Sequence, residues 1–87
     1  SAPRNIYACS DGYIVLSGSA NQVALRVFDA IGRPDLREDS RFTTGAARIA
    51  NVDELDEIIS SWTAQRTVAE AIDVDPSGPF KPDHYRY

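Results

Sequence analysis

The chain has 87 residues, enough for one small domain, which at this length buries only about 60% of its unfolded surface and has a thin stability margin. Its 43% hydrophobic content is that of a folded chain and excludes disorder along most of the length. The net charge of −4 excludes long-range attraction to nucleic acid or an anionic membrane, and no apolar run approaches the ~20 residues of a membrane helix.

The charge is uneven: residues 51–87 carry eight acids against three basic residues, whereas residues 1–50 are close to balance. The lone cysteine, Cys9, has no intramolecular disulfide partner, and without a signal peptide in view it fits a reducing cytoplasm. Ser1 opens a chain that contains no Met, which reads as a processed terminus or the edge of an excised piece.

In chain order, Ile6–Cys9 and Tyr13–Ser17 are predicted to form a β-hairpin. The Asp11-Gly12 pair supplies the turn, since Gly accepts the positive φ of a tight hairpin. Tyr13-Ile14-Val15-Leu16 is apolar on both faces, so cover on both sides is expected. Ser19 is placed to cap a helix running to Ile31, with Val23, Val27, Phe28 and Ile31 on one apolar stripe. Gly32 closes that helix as a left-handed cap, and Pro34 opposes continuation. Pro34-Asp35-Leu36 reads as a single helical turn, Phe42 as its anchor to the core, and Ala46–Ile49 as a short helix.

Asn51-Val52-Asp53-Glu54 has the spacing of a capping box and opens a helix over about 53–65, with Val52, Leu55, Ile58, Ile59 and Trp62 inward. Thr67-Val68-Ala69-Glu70 repeats the box before a last helix with Val68, Ala71 and Ile72 inward. Asp75-Pro76-Ser77-Gly78-Pro79 breaks the pattern, and 76–87 reads as an irregular Pro-rich tail that must dock or stay mobile. The fold class is therefore α+β, an N-terminal hairpin followed by three or four helices, with one domain over 1–75.

Several phrases stand in a specific order. They are Pro3-Arg4-Asn5-Ile6-Tyr7 leading to Asp11–Ser17, then Phe28–Leu36 followed by Asp39-Ser40-Arg41-Phe42, then Ala46–Leu55, then Trp62-Thr63 and Arg66-Thr67. In that order and spacing they resemble the family III CoA-transferases, the group of formyl-CoA transferase, carnitine CoA-transferase and the α-methylacyl-CoA racemases. The resemblance covers residues 3–72. Beyond it, Ser77-Gly78-Pro79 and Asp83-His84-Tyr85-Arg86 are similar to later family phrases, though fewer residues lie between.

The resemblance implies the small α+β domain of a CoA-transferase whose nucleophilic aspartate and glycine-rich loop lie in parts of the enzyme without a counterpart here. Two such subunits interlock, so a homo-oligomer or a missing large domain is the expected partner. CoA or acyl-CoA is implied as substrate, with no tightly bound cofactor. Racemase relatives place a glutamate where this chain has Ala20, which cannot move a proton, so the resemblance favours the transferase branch.

No residue of the chain is a candidate nucleophile. Asp11 reads as a turn residue and Asp53 and Glu54 as cap residues. His84, the only histidine, reads as a surface residue without a positioned partner, and Cys9 as a buried, inert thiol. Isolated His and Cys give no metal-ligand spacing, so no metal is expected.

Ser17–Gln22 joins a strand to a helix N-terminus, where backbone N–H groups are unpaired. In the family this edge faces the domain cleft, so Gly18, Asn21 and Gln22 are the candidate acyl-CoA contacts; an ordinary cap and helix start is the competing reading. Arg33, Arg37 and Arg41 could meet phosphates, but Asp35, Glu38 and Asp39 beside them favour local ion pairs. Two functional readings remain open: the small-domain piece of a CoA-transferase, incomplete alone, or a stand-alone interaction or self-association module. A ligand binder without chemistry is a third.

Overall fold

The computed structural model describes residues 2–3, 5–16 and 21–83, and shows an α+β fold. Strand β1 (Asn5–Ala8) pairs antiparallel with β2 (Tyr13–Leu16), so the hairpin forms close to where the sequence places it. Its connection is wider than the Asp11-Gly12 signal implies: four residues link the strands, Cys9 N–H donates to Gly12 O at 2.8 Å, and Gly12 does not have a positive φ. The expected two-sided cover of β2 is also corrected. Ile14 and Leu16 are buried, whereas Val15 is half-buried and Tyr13 is 39% exposed, so one face of the strand packs and the other meets solvent.

Helix α1 spans Asn21–Ala30 and buries Ala24, Val27 and Phe28, with Ile31 buried just beyond its end. Gly32 has φ 74° and closes the helix. Its N–H donates to Asp29 O, and Arg33 N–H donates to Phe28 O, the paired bonds of a Schellman motif that satisfy the last carbonyls. A short 3-10 helix, Pro34–Glu38, buries Leu36, and Phe42 is buried as anchor of the following loop.

Helix α2 (Gly45–Ala50) is capped by Thr44, whose hydroxyl accepts from Ala47 N–H at 3.0 Å. Helix α3 (Val52–Thr63) buries Leu55, Ile59 and Thr63 and half-buries Val52, Ile58 and Trp62. The capping box expected at Asn51 and Glu54 does not form. Asn51 ends α2 as well as starting α3, and its Nδ2 donates to Ala47 O and Arg41 O, while Glu54 pairs with Arg41. Two helices sharing one junction residue leave its side chain the task of closing the first. The box at Thr67 and Glu70 is complete, and opens α4 (Val68–Asp73). The same bonds, from the Thr67 backbone N–H first, hold the Glu70 carboxyl below the usual carboxylate range.

The sequence shows no period in the tail, yet Phe80–Pro82 forms a third strand, β3, antiparallel to β2. The sheet order is β1-β2-β3, and Asp83 N–H extends the ladder to Tyr13 O at 3.1 Å. Three residues are too short for a readable alternation, and Pro82 is tolerated because β3 is an edge strand. Phe80 is buried and stacks on Trp62 at 6.1 Å between ring centroids, with their planes 13° apart. Gly78 makes the approach possible: its N–H donates to Asp75 O at 2.8 Å, and an added Cβ would lie 2.8 Å from that oxygen. The core therefore lies between one sheet face (Tyr7, Ile14, Leu16, Phe80) and the helices, with Val27, Phe28, Leu55 and Ile59 opposite.

Candidate functional site

Of the three candidate acyl-CoA contacts, Asn21 and Gln22 form the first turn of α1 and are both exposed. Gly18 lies outside the described residues, as do the expected cap Ser19, the branch-marking Ala20 and His84. Asn21 is tied to a residue that the sequence reading passed over. Arg48 of α2 is 2% exposed and donates from Nη2 to Asn21 Oδ1 at 2.7 Å. Its Nε donates to Ala2 O at 2.8 Å and its Nη1 to Phe42 O at 3.0 Å. One guanidinium thus joins the N-terminal segment, the loop before α2 and the start of α1.

No carboxylate pairs with Arg48 among the described residues, and burial pulls its pKa below the ordinary arginine value. The cation is held by two carbonyls and one amide oxygen, charge-assisted bonds that offset part of a large desolvation cost. Hydropathy favours Ile49 as the buried residue of this segment, yet Ile49 is 55% exposed. The usable signal was the run of small neighbours, Ala46-Ala47 before it and Ala50 after, which leaves a long side chain room to turn inward.

The arginines of the Pro34 loop find carboxylates. Arg33 pairs with Asp35 at 3.0 Å, Arg37 with Asp29, and Arg41 with Asp39 at 2.7 Å and Glu54 at 2.6 Å. Local pairing therefore describes this cluster, with Asp29 taking the place expected of Glu38 at Arg37. Asp39 accepts from the Arg41 guanidinium and backbone N–H, which pull its carboxyl down to about 2. Arg33 and Arg41 border a cleft of about 370 Å³ with Glu54, Glu57, Ile58 and Ser61. A second, of about 270 Å³, lies between Arg26, Asp29, Ala30, Val74 and Asp75. Neither is lined by Asn21 or Gln22.

Other polar residues serve the fold. Asp11 is more than a turn residue: its Oδ1 accepts from Val68 N–H at 2.8 Å, at the start of α4. Cys9 is half-buried, and burial followed by the Asp11 charge pushes its thiol pKa up, so it stays protonated at neutral pH. Tyr7 is buried and donates to Asp56 Oδ1 at 2.7 Å; burial, then this bond, drives its pKa far up. Among the described residues no three His, Cys, Asp or Glu side chains are placed to hold a metal, and no helix is long and apolar enough to cross a membrane.

Among the described residues, Asn21 is tied to the Arg48 hub, and Asn21 and Gln22 lie apart from both clefts. Comparison with known proteins places the chain in a family. Residues 1–75 match the model of CoA-transferase family III. The chain is 40% identical over 67 residues to the succinyl-CoA–D-citramalate CoA-transferase of Chloroflexus aurantiacus, an alignment covering 76% of this chain and 17% of that protein. Its fold superposes on the crystal structure of Rv3272 from Mycobacterium tuberculosis with a TM-score of 0.84 at 29% identity, over 97% of this chain and 24% of the other. A CaiB/BaiF family protein from Brucella suis gives a TM-score of 0.77 at 27% identity, over 93% and 22%. The chain spans about a fifth of the length of these relatives, and it belongs to CoA-transferase family III.

Proposed function

We propose that this chain is the small-domain part of a family III CoA-transferase, in which CoA passes between carboxylic acids and the covalent chemistry is supplied by groups outside residues 1–87. The observation that carries the reading is the near-complete superposition of this chain on a minor part of a much larger family structure. In this role the domain shapes one side of an acyl-CoA cleft, with Gly18, Asn21 and Gln22 on its rim. CoA or acyl-CoA is the substrate, with no tightly held cofactor, and a large domain or a second subunit is the partner. The enzyme is taken as a dimer and as cytoplasmic, the latter reading supported by the lone thiol of Cys9. The family-like region is taken as 1–75, and the segment after it completes the same folded unit through β3.

Purified residues 1–87 incubated with succinyl-CoA and free carboxylic acids are expected to show no CoA transfer by chromatography, whereas the full-length protein carrying this domain transfers. Turnover by residues 1–87 alone would overturn the placement of the chemistry elsewhere. The absence of transfer in the full-length protein across a panel of acyl-CoA donors would overturn the transferase reading.

A further inference from the structure

The bonds around Arg48 bear on what Asn21 can recognise. An arginine side chain has five N–H donors and no acceptor, so the Asn21 atom 2.7 Å from Nη2 must be its amide oxygen. Turning the amide over would set donor against donor. Arg48 is not free to follow such a turn, because Nε and Nη1 are held by the backbone oxygens of Ala2 and Phe42. The oxygen edge of the Asn21 amide is therefore fixed on a buried cation, which leaves Nδ2, on an exposed residue, as the edge open to another group.

We propose that Arg48 is a positioning residue that presents Asn21 as a hydrogen-bond donor to an acyl oxygen of acyl-CoA, the thioester carbonyl or the carboxylate beyond it. The inference rests on the reading of Asn21 as a cleft residue and adds the chemical sense of the contact. An acyl group offers acceptor oxygens, and a donor with fixed orientation recognises them without reorganisation. Had Asn21 faced the ligand with its oxygen, it would have selected amide or hydroxyl hydrogens instead.

The test is made in the full-length enzyme with Asn21→Asp, Asn21→Ala and Arg48→Lys. Asn21→Asp gives the buried guanidinium a carboxylate, so the melting temperature should hold or rise, while the outward N–H donor is lost. The proposal expects kcat/KM for succinyl-CoA to fall about tenfold in Asn21→Asp, the loss of one hydrogen bond. The loss should persist at high salt, where charge repulsion is screened. Inhibition by free CoA should be unchanged.

Wild-type kcat/KM in Asn21→Asp, with a loss in Asn21→Ala, would keep the cleft reading and overturn the donor role. An equal loss of affinity for free CoA would overturn the acyl oxygen as the acceptor. Wild-type behaviour of Asn21→Ala would overturn the cleft reading itself. If Arg48 acts through Asn21, Arg48→Lys lowers kcat/KM on its own and adds nothing in the Asn21→Ala background. A full additional loss there would overturn its positioning role.

Discussion

Asp39 shows how the Pro34 loop holds its shape through one side chain. It accepts from Nε and Nη2 along one edge of the Arg41 guanidinium and from the Arg41 backbone N–H, and this keeps its carboxyl near 2 against an ordinary value of about 3.9. A carboxyl whose pKa is lowered on folding contributes stability above its unfolded value, and that contribution fades as the pH falls toward the folded value. Urea unfolding midpoints of the wild type should therefore drop between about pH 4 and pH 2, and Asp39→Asn should flatten part of that drop. An undiminished acid limb in the variant would mean that Asp39 has no share in it.

At this scale the sequence was partly legible. The pairing of Arg33 with Asp35 and of Arg41 with Asp39 followed from neighbouring acids, whereas Asp29 and Glu54, more distant in the chain, did not. The Arg48 hub did not, because its partners are two backbone oxygens and an amide lying 46, 6 and 27 positions away. Backbone acceptors carry no sequence signature.

The elements are joined by bonds that link the hairpin to the last two helices. Thr63 Oγ1 donates to Ala8 O at 2.9 Å, Ser10 N–H donates to Arg66 O at 2.8 Å, and Asp11 accepts from the first turn of α4. The Thr63 bond also occupies a carbonyl on the outer edge of β1. Asn5 Oδ1 does the same for the Ile6 N–H, so two groups that would invite another strand are taken. Thr63→Val keeps the buried shape and removes the hydroxyl, and should cost about 1 kcal/mol in urea denaturation. No measurable loss would show that the helix holds β1 by packing alone.

Helices were the more legible elements, since α1, α3 and α4 each carry an apolar stripe and α1 and α4 also carry stop or start chemistry. The Asn51 box was misread because the same Asn-x-x-Glu spacing fits a junction where one residue ends a helix and begins the next.

For the whole molecule, β3 has the largest structural consequence. The family match ends at residue 75, yet Phe80 fills the core beside Trp62 and β3 completes the sheet. Phe80→Ala should cost about 3–5 kcal/mol, a large share of what a domain this small possesses. Trp62 is the only tryptophan, so its fluorescence reports the loss directly. A variant that unfolds at the wild-type urea concentration would show that residues 1–75 suffice for the fold. The α+β class was readable from the hairpin signal and the helical stripes. The third strand was not, because a three-residue strand takes its conformation from the partner it pairs with.

The register of that sheet also fixes how a longer polypeptide can carry this unit. Asn5 and Phe80 both stand opposite Leu16, while Pro82 stands opposite Ile14 two residues along the same central strand. From strand rise and spacing, the point where the chain enters the sheet and the point where it leaves are only about 12 Å apart. A host can thus part its backbone, hold the whole unit across that short gap and resume, at little cost in loop closure. Two attachments on opposite edges of one sheet would also resist twisting about either one, a two-point mount rather than a tether.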